Sequence, residues 1–397
     1  MRRSLEFLGL TFFFAAVLAL AFVAGYYARA YSATTPALRW ALPGLPGSEV
    51  RYPVLAEVEA LVGAHFNGPL PEAKQLEYGM IHGFIGALGD PYSLFVEPQV
   101  AEIESNQLAG EYGGIGVELR RNDTGETVLA PFPDSPADLA GVLAGDVLLK
   151  VEDNAVTAEI PVETVTAWLR GPVGSEVTIV VRRADGAEAT LTLIRQTIAL
   201  PSVTWRMLDG QADIGLITLS RFSDKTATEL QRAARELRAS GASRFVLDLR
   251  NNGGGLLDAA VEASEQFLRG GVVMYESSRS GPEKTYRIGD GGALVEAPLA
   301  VLVNGNTASA AEILAGALVD RGRAPLIGQK TFGKGSVQFI FPLSDGSSVH
   351  ITANRWYTPT RREIDKVGLP PTIEVQPGGD GSDPELNRAI EYLTNGQ

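Results

Sequence analysis

The stretch LAVLVNGNTASAAEI, residues 299–313, indicates what kind of core this chain builds. Its first five residues, Leu299–Val303, are all apolar and predict a buried β-strand. A short polar loop follows, and the run from Ser309 to Glu312 has the S-x-x-E pattern that begins many helices. A strand, a short loop and a helix in this order predict an α/β core, in which sites form at the carboxyl ends of the strands.

The same order of elements occurs upstream. Phe245–Leu249 predicts a strand, residues 251–255 (NNGGG) predict a loop, and Leu256–Leu268 predicts a helix. The glycine run lacks the G-x-G-x-x-G spacing of a dinucleotide site. Residues 328–334 nearly match the phosphate-binding loop, but Gly335 stands where that loop needs a hydroxyl residue. Neither stretch therefore predicts a nucleotide site.

Ser309 is a candidate nucleophile because of its position between a strand and a helix. The positive end of the helix dipole and the free N–H groups of the first turn would stabilise negative charge beside its hydroxyl. The alternative from this segment alone is an ordinary helix cap, since Ser309 and Glu312 also form the sequence of a capping box.

The choice of a base for Ser309 is narrow. The chain has 3 histidines, of which His65 and His82 fall in predicted helices and His350 on a predicted strand. A desolvated, neutral lysine can replace histidine. Lys334, flanked by Gly333 and Gly335, enters an apolar strand and fits that role. A solvated surface lysine is the alternative.

Composition excludes several functional classes. The 397 residues include no cysteine, which removes thiol catalysis, disulfides and thiolate metal sites. The histidines show no metal-ligand spacing, so we expect no metal and no cofactor. A formal net charge of −13 argues against nucleic acid as a partner, because a basic surface is the usual requirement.

The N-terminus predicts export. Arg2 and Arg3 precede an uncharged apolar run, residues 7–27, which is long enough to cross a bilayer. We expect a single-pass anchor within residues 1–30, with the catalytic part outside the cytoplasm, periplasmic or extracellular. A cleaved signal peptide is the alternative, and Ala28-Arg29-Ala30 resembles a cleavage site.

The rest of the chain predicts a mixed α/β protein, and changes in the sequence pattern divide it into regions. Residues 31–52 predict a linker and residues 53–109 a small helical region. Short β-type runs separated by turns predict a compact β-rich module over residues 110–197, with one helix at Val162–Arg170. Residues 198–382 predict the α/β core, and residues 383–397 a C-terminal helix.

Six ordered stretches carry a resemblance to a known family. The chain resembles the C-terminal processing (tail-specific) proteases, which are Ser/Lys peptidases with an internal PDZ domain, over roughly 300 residues. The stretches are LGDPYS (88–93), GGIGV (113–117), SPADLAG (135–141) with GD (145–146), DLRNNGGG (248–255), VNGNTASAAEI (303–313) and GKGSVQ (333–338).

The resemblance implies a serine endopeptidase that cuts exported proteins with a Ser/Lys dyad. Ser309 would be the nucleophile, Lys334 the general base, and Gln338 the residue that orients the lysine. The oxyanion hole would use the backbone N–H of Ala310 and of Gly254 or Gly255. The family often has further serines beside the nucleophile, where this chain has Thr307 and Ala311.

The resemblance also implies how substrates are recognised. The β-rich module would be a PDZ domain that binds protein substrates with apolar C-termini. The residues implied are the carboxylate-binding loop Gly114, Ile115, Gly116 and Val117, the helix residues Val165 and Leu169, and Arg170, which would link ligand binding to activation. For Val165 and Leu169 ordinary core packing is the alternative, and for Arg170 it is a favourable cation at the C-terminus of a helix.

Two other classes of function stay open at this point. One is an inactive scaffold that binds peptides through a PDZ domain. The other is an acyl hydrolase that uses His350 as its base. The sequence also leaves homo-oligomer formation open.

Overall fold

A computed structural model describes residues 52–279, 281–379 and 382–395. The chain divides into two compact units, Met1–Leu76 and Glu77–Gln397. The predicted membrane segment, residues 7–27, and nearly all of the predicted linker lie outside the described residues. Among the residues that are described, no helix is long and apolar enough to span a membrane.

The predicted small helical region contains three helices. They are α1 (Pro53–His65), α2 (Ala73–Gly86) and α3 (Pro98–Leu108). Proline stands at the start of α1 and α3, where its missing N–H costs no hydrogen bond. A strand of three residues, β1 (Leu94–Val96), separates α2 from α3 and is too short to show a periodic pattern.

The predicted β-rich module is a sheet with one short and one longer helix packed against it. Its main strands follow the spatial order β3-β4-β5-β7-β8, so β3 is an edge strand within the described sheet. The apolar residues of these strands and of the helix α5 form a core of their own. The elements are β3 (Val117–Arg121), β4 (Thr127–Pro131), α4 (Pro136–Leu139), β5 (Val147–Val151), β6 (Asn154–Ala155), α5 (Val162–Leu169), β7 (Glu176–Arg182) and β8 (Glu188–Ile194).

A two-stranded ribbon joins this module to the rest of the unit. Strand β2 (Glu111–Gly114) enters the module and pairs antiparallel with β9 (Gln196–Ala199), which leaves it. The two connections to the α/β core therefore lie side by side.

The α/β core is built on a six-stranded sheet. Its order is β10-β11-β12-β15-β16-β19, and all neighbours are parallel except the edge pair β10 and β11. The helices α6, α7 and α8 contribute to the largest hydrophobic core of the chain. The elements are β10 (Val203–Met207), β11 (Ile214–Leu219), α6 (Thr226–Ala239), β12 (Arg244–Asp248), α7 (Leu257–Glu265), β15 (Leu299–Val303), α8 (Ala310–Asp320), β16 (Leu326–Gly328) and β19 (Ile373–Glu374).

The register of this sheet places two loops side by side. Strands β12 and β15 are parallel neighbours, with Asp248 opposite Leu302. Because parallel strands end at the same edge, the glycine-rich loop after β12 lies next to the loop that leads to Ser309. Asn251 and Asn304 join the two loops, since each side-chain oxygen accepts a hydrogen bond from the other residue at 3.0 Å.

A second sheet and the C-terminal helix complete the unit. The sheet has the order β1-β18-β13-β14, with β17 also paired to β18. The predicted C-terminal helix is present as α9, and Arg250 binds the carboxylates of Asp383 and Glu385 at 2.8 and 3.4 Å near its start. The elements are β13 (Val272–Ser278), β14 (Lys284–Arg287), β17 (Ser336–Pro342), β18 (Ser348–Tyr357) and α9 (Pro384–Asn395).

Candidate active site

Ser309 occupies the position just before α8, which begins one residue later than the sequence predicts. Its backbone has φ 56° and ψ −120°, a left-handed conformation that non-glycine residues seldom adopt. Strained residues of this kind cluster at functional sites. A bent strand-to-helix connection holds the hydroxyl at the exposed end of a rigid strand, as the sequence predicts.

The glycine-rich loop lies directly against Ser309. A Cβ on Gly254 would come within 2.8 Å of the Ser309 Cβ and 3.1 Å of the Ala310 nitrogen, so only glycine fits there. Asn252 is fully buried and fixes this loop. Its side-chain oxygen accepts the Gly254 N–H at 2.9 Å, and its side-chain nitrogen donates to the Leu219 carbonyl at 2.8 Å.

These contacts distinguish between Gly254 and Gly255 as donors to the predicted oxyanion hole. The Gly254 N–H already donates to Asn252, whereas the N–H groups of Gly255 and Ala310 donate to no acceptor within the described residues. Gly255 pairs with Phe222 as an isolated bridge in which its own N–H points away from Phe222. Gly255 and Ala310 are therefore the better-placed donors, and the role of Gly254 is close packing.

Lys334 lies in a loop whose backbone packs directly against the backbone of residues 365–368. A Cβ on Gly333 would come within 2.7 Å of the Gly368 nitrogen, and one on Gly335 within 2.8 Å of the Asp365 nitrogen. Gly333 has φ 91°, in the left-handed region. The flanking glycines thus allow the close enclosure of the lysine that the sequence predicts.

The Lys334 amine is partly buried and has few polar neighbours. Its Nζ donates to Gln338 Oε1 at 2.5 Å and lies 5.1 Å from the centre of the Tyr92 ring. Gln338 Nε2 in turn donates to the Tyr92 carbonyl, which fixes the glutamine. Burial lowers the pKa of Lys334, although the negative charge of Asp90 opposes this shift. A lowered pKa is what a lysine general base needs.

Glu312 connects the serine with the lysine loop. Its side chain is fully buried in the first turn of α8. Oε2 accepts the backbone N–H groups of Ser309 and Lys334 at 3.0 and 2.9 Å. Oε1 accepts the Thr331 hydroxyl at 2.5 Å and the Gly333 N–H at 2.8 Å. One carboxylate therefore receives four hydrogen bonds and fixes both loops to each other.

One cavity of about 560 Å³ brings these groups together. It is lined by Ser309, Ala310, Lys334, Gln338 and the loop Gly253–Gly255. A neutral lysine beside a serine and two free N–H groups can support attack on a carbonyl carbon.

His350 lines the same cavity. Its Nε2 lies 3.3 Å from Glu104 Oε2, on helix α3. The alternative base considered from the sequence therefore lines the cavity that contains Ser309.

The predicted peptide-binding residues of the β-rich module are placed as follows. Gly114, at the end of β2, and Ile115, Gly116 and Val117 form the connection from β2 to β3, with Gly116 at φ 73°. Val165 and Leu169 on α5 are buried in the core of the module. This is the core packing considered as the alternative, so direct contact of these two with a ligand stays a prediction.

Arg170 ends α5 in extended conformation and reaches the catalytic cavity. It stacks over the Tyr112 ring at 4.5 Å and lines the cavity that contains Ser309. Arg170 therefore lies at this cavity, and its role in linking ligand binding to activation stays a prediction.

Several residues around the site could not be assigned from the sequence. Glu312 was visible only as a capping residue, and the stretch containing Asp90 and Tyr92 suggested no role. Their contacts with the lysine side of the site depend on residues at least 19 positions away. The position of Glu312 three residues after Ser309 was the one local signal.

No cluster of three or more metal-ligating side chains occurs in residues 52–279, 281–379 and 382–395. The sequence predicted neither a metal nor a cofactor.

Comparison with known proteins identifies two domains. Residues 213–375 match the model of peptidase family S41, and residues 127–183 match a PDZ domain. Both matches fall inside the ranges predicted for the core and for the β-rich module.

Relatives resemble the chain over most of its length. A carboxyl-terminal-processing protease of Picosynechococcus sp. is 37% identical over 81% of this chain and 80% of its own. A carboxy-terminal-processing protease of Bartonella bacilliformis is 34% identical over 77% and 71%. A solved photosystem II D1 C-terminal processing protease is 31% identical, with a TM-score of 0.49, over 85% and 90% of the two chains.

Proposed function

Because the chain belongs to the carboxyl-terminal-processing proteases of peptidase family S41, and is a serine-type peptidase with a PDZ domain, we propose that Ser309 and Lys334 form its catalytic pair. The observation that carries this proposal is the partly buried Lys334 amine, with its lowered pKa, in the cavity that also contains Ser309. Because the chain belongs to this protease family, an inactive scaffold that binds peptides through its PDZ domain is the weaker alternative.

The proposed reaction begins with neutral Lys334. Its Nζ takes the proton of Ser309 Oγ as Oγ bonds to the carbonyl carbon of the substrate peptide. The carbonyl oxygen becomes an oxyanion, which accepts hydrogen bonds from the N–H groups of Ala310 and Gly255. Each such donor contributes roughly 3–4 kcal/mol to transition-state stability. The positive end of α8 adds to the same effect.

Lys334 then returns the proton to the leaving group. As the carbon–nitrogen bond breaks, the ammonium protonates the new amine, and the acyl group stays on Ser309. A water molecule gives its proton to neutral Lys334 and attacks the ester carbon. Collapse of the second oxyanion breaks the bond to Oγ, and Lys334 reprotonates the serine. Gln338 keeps Nζ oriented throughout.

Single variants test this pair against His350. We expect Ser309→Ala and Lys334→Ala to lose hydrolysis of an unfolded casein substrate, by about 10²–10⁴-fold for the lysine. We expect His350→Ala to retain it, with an unchanged pH–rate profile. Loss of activity in His350→Ala together with retention in Lys334→Ala would reverse the assignment of the base.

We further propose that the PDZ domain binds the C-termini of protein substrates that end in apolar residues. The edge position of β3 and the glycine-containing loop Gly114–Val117 before it support this, because a peptide can extend the sheet while backbone N–H groups bind its carboxylate. Binding to Ser309→Ala protein should be lost when the peptide carries a C-terminal amide.

Arg170 is the proposed link between that binding and catalysis. It stands at the end of the PDZ helix α5 and lines the catalytic cavity. We expect an apolar C-terminus to displace the PDZ domain from the groove and to order Lys334 against Ser309. Equal cleavage of substrates with free and blocked C-termini would exclude this gating without affecting the protease assignment.

We also propose that the catalytic part acts outside the cytoplasm, anchored through residues 7–27. The support is the length of this uncharged apolar run after Arg2 and Arg3. Fractionation of cells that express the full chain tests this proposal: the chain should stay with the membrane after a carbonate wash and be accessible to external protease.

A further inference from the structure

Two arginines line the catalytic cavity without an acidic partner. Arg170 ends helix α5, and Arg221 follows strand β11. Both side chains are only partly exposed, and neither forms an ion pair with any residue that the structure describes. The Nε–H of Arg170 is buried and has no acceptor there. A guanidinium group in this state has lost water without gaining a counter-charge.

Arg170 and Arg221 line the same cavity, where the charge of Arg170 acts on Arg221. Burial and then the positive charge of Arg170 lower the pKa of Arg221. Arg221 nevertheless stays protonated, because arginine does not lose its proton in proteins. The face of the Tyr112 ring, 4.5 Å from Arg170, holds that guanidinium at the cavity wall. The wall therefore carries two arginines that have no ion-pair partner among the described residues.

Neither arginine forms an ion pair with the acidic residues nearby that the structure describes. Glu229, the one carboxylate that acts favourably on Arg221, accepts the backbone N–H groups of Ser202 and Val203 at 2.7 and 3.1 Å. Glu104 lines the cavity too; its Oε2 lies 3.3 Å from His350 Nε2 and has no hydrogen-bond partner among the described residues. The chain therefore supplies neither arginine with a carboxylate of its own.

We propose that Arg170 and Arg221 form a subsite that binds a carboxylate of the peptide being cut. Arginine is suited to this task, because its planar fork of N–H donors matches the two oxygens of a carboxylate. A bound carboxylate neutralises the repulsion between the two groups and supplies the missing acceptor. The inference rests on the proposed function, since Ser309 and Lys334 line the same cavity.

Two parts of a peptide can supply this carboxylate. One is an aspartate or glutamate side chain near the bond that is cut, and the other is the α-carboxylate at the peptide end. The side chain would give a preference for acidic residues at one position. The α-carboxylate would give a preference for cleavage at a fixed distance from the C-terminus.

A matched set of fluorogenic peptides tests the subsite. In one arm, a single glutamate is moved along the peptide and compared at each position with glutamine. In the other, the same peptide carries a C-terminal carboxylate or an amide. Wild-type kcat/KM should be about tenfold higher for the acidic member in one arm, as expected for a charge-assisted hydrogen bond. The preference should weaken as salt concentration rises.

The arginine variants decide whether the preference belongs to this cavity. Arg221→Gln should remove it while leaving kcat/KM for the neutral peptide within about threefold, and Arg170→Gln should weaken it. Arg221→Lys, which keeps the charge but lacks the fork, should retain only part of it. Arg206→Gln removes an exposed arginine of strand β10, outside the cavity, and should change nothing. Thermal unfolding of each variant verifies that it is folded.

Two outcomes would overturn the subsite. One is equal wild-type cleavage of acidic and neutral members in both arms. The other is a carboxylate preference that survives in Arg221→Gln, which would assign it to the PDZ domain. Neither outcome affects the catalytic pair, whereas continued cleavage of the neutral peptide by Ser309→Ala would overturn it.

Discussion

The backbone N–H of Lys334 donates to Glu312 at 2.9 Å, and the same carboxylate oxygen accepts the N–H of Ser309 at 3.0 Å. The loop of the proposed base and the loop of the proposed nucleophile are thus fixed by one fully buried side chain. Such fixed positioning matters because small displacements of reacting groups reduce rates strongly. Glu312 is a positioning residue, since its contacts are with the two loops.

We therefore expect Glu312→Gln to reduce kcat more than it raises KM. A glutamine retains one acceptor oxygen, and its NH₂ group faces donors that the carboxylate had satisfied. Each donor left unpaired costs about 1–3 kcal/mol of stability. Steady-state kinetics and thermal unfolding measure the two effects.

Asp213→Asn is the matched control for that variant. Asp213 pairs with Arg244 at 2.7 Å, far along the chain from the catalytic loops. This variant should lower stability without changing the ratio of kcat to KM. An equal kinetic loss in both variants would mean that Glu312 acts only through general stability.

The pH dependence of hydrolysis should reflect the protonation state of Lys334. Burial lowers the pKa of Lys334, and the charge of Asp90 opposes that shift. Because the base must be neutral, activity should rise with pH through the lowered pKa of Lys334, below its usual value of 10.5.

Removing the charge of Asp90 should move this rise to lower pH. In Asp90→Asn the ammonium form of Lys334 loses a favourable charge, so the lysine gives up its proton more readily. Asp153→Asn, at a fully exposed position, should leave the profile unchanged. A shift to higher pH in Asp90→Asn would contradict the role of Lys334 as base.

Gln338 should control the orientation and the proton affinity of Lys334. Gln338→Ala removes the acceptor at 2.5 Å from Nζ, and we expect kcat to fall by about tenfold. Gln338→Glu keeps an acceptor but adds a negative charge, so the rise in activity should move to higher pH. Gln376→Ala, which changes a remote exposed glutamine, should do neither.

Asn252 should be needed for the geometry of the oxyanion hole. Asn252→Ala leaves the Gly254 N–H and the Leu219 carbonyl without partners and frees the glycine loop. We expect kcat to fall by up to about 10²-fold, the effect of losing one oxyanion donor. Asn122→Ala, which loosens a turn in the PDZ domain, is the control. Unchanged kcat in Asn252→Ala would contradict this role.

Much of the fold could be predicted because the signals are local. The apolar run Leu299–Val303 is a fully buried strand, and the predicted helices around Ser309 and at Val162 are present to within one residue. The position of Ser309 at the start of a helix followed from the same pattern. The resemblance to the family then selected Lys334 from the lysines of the chain.

The remaining features depend on contacts between distant parts of the chain. No periodicity shows that Asn252 occupies the Gly254 N–H, or that Tyr92 and Gln338 meet across 246 positions. The strained backbone of Ser309 and the isolated charges of Arg170 and Arg221 become visible only when neighbouring strands are in register. Val165 and Leu169 do show a local pattern, but it does not decide their role. Their helical spacing fits a ligand pocket and a core equally well.

The most direct test of the catalytic pair is reaction with a serine-directed phosphonate, followed by mass-spectrometric location of the modified residue. We predict a single modification at Ser309, at a rate that rises with pH in the wild type and collapses in Lys334→Ala. Modification of a different serine, or equal labelling of Ser309 in Lys334→Ala, would contradict the proposed Ser309–Lys334 mechanism.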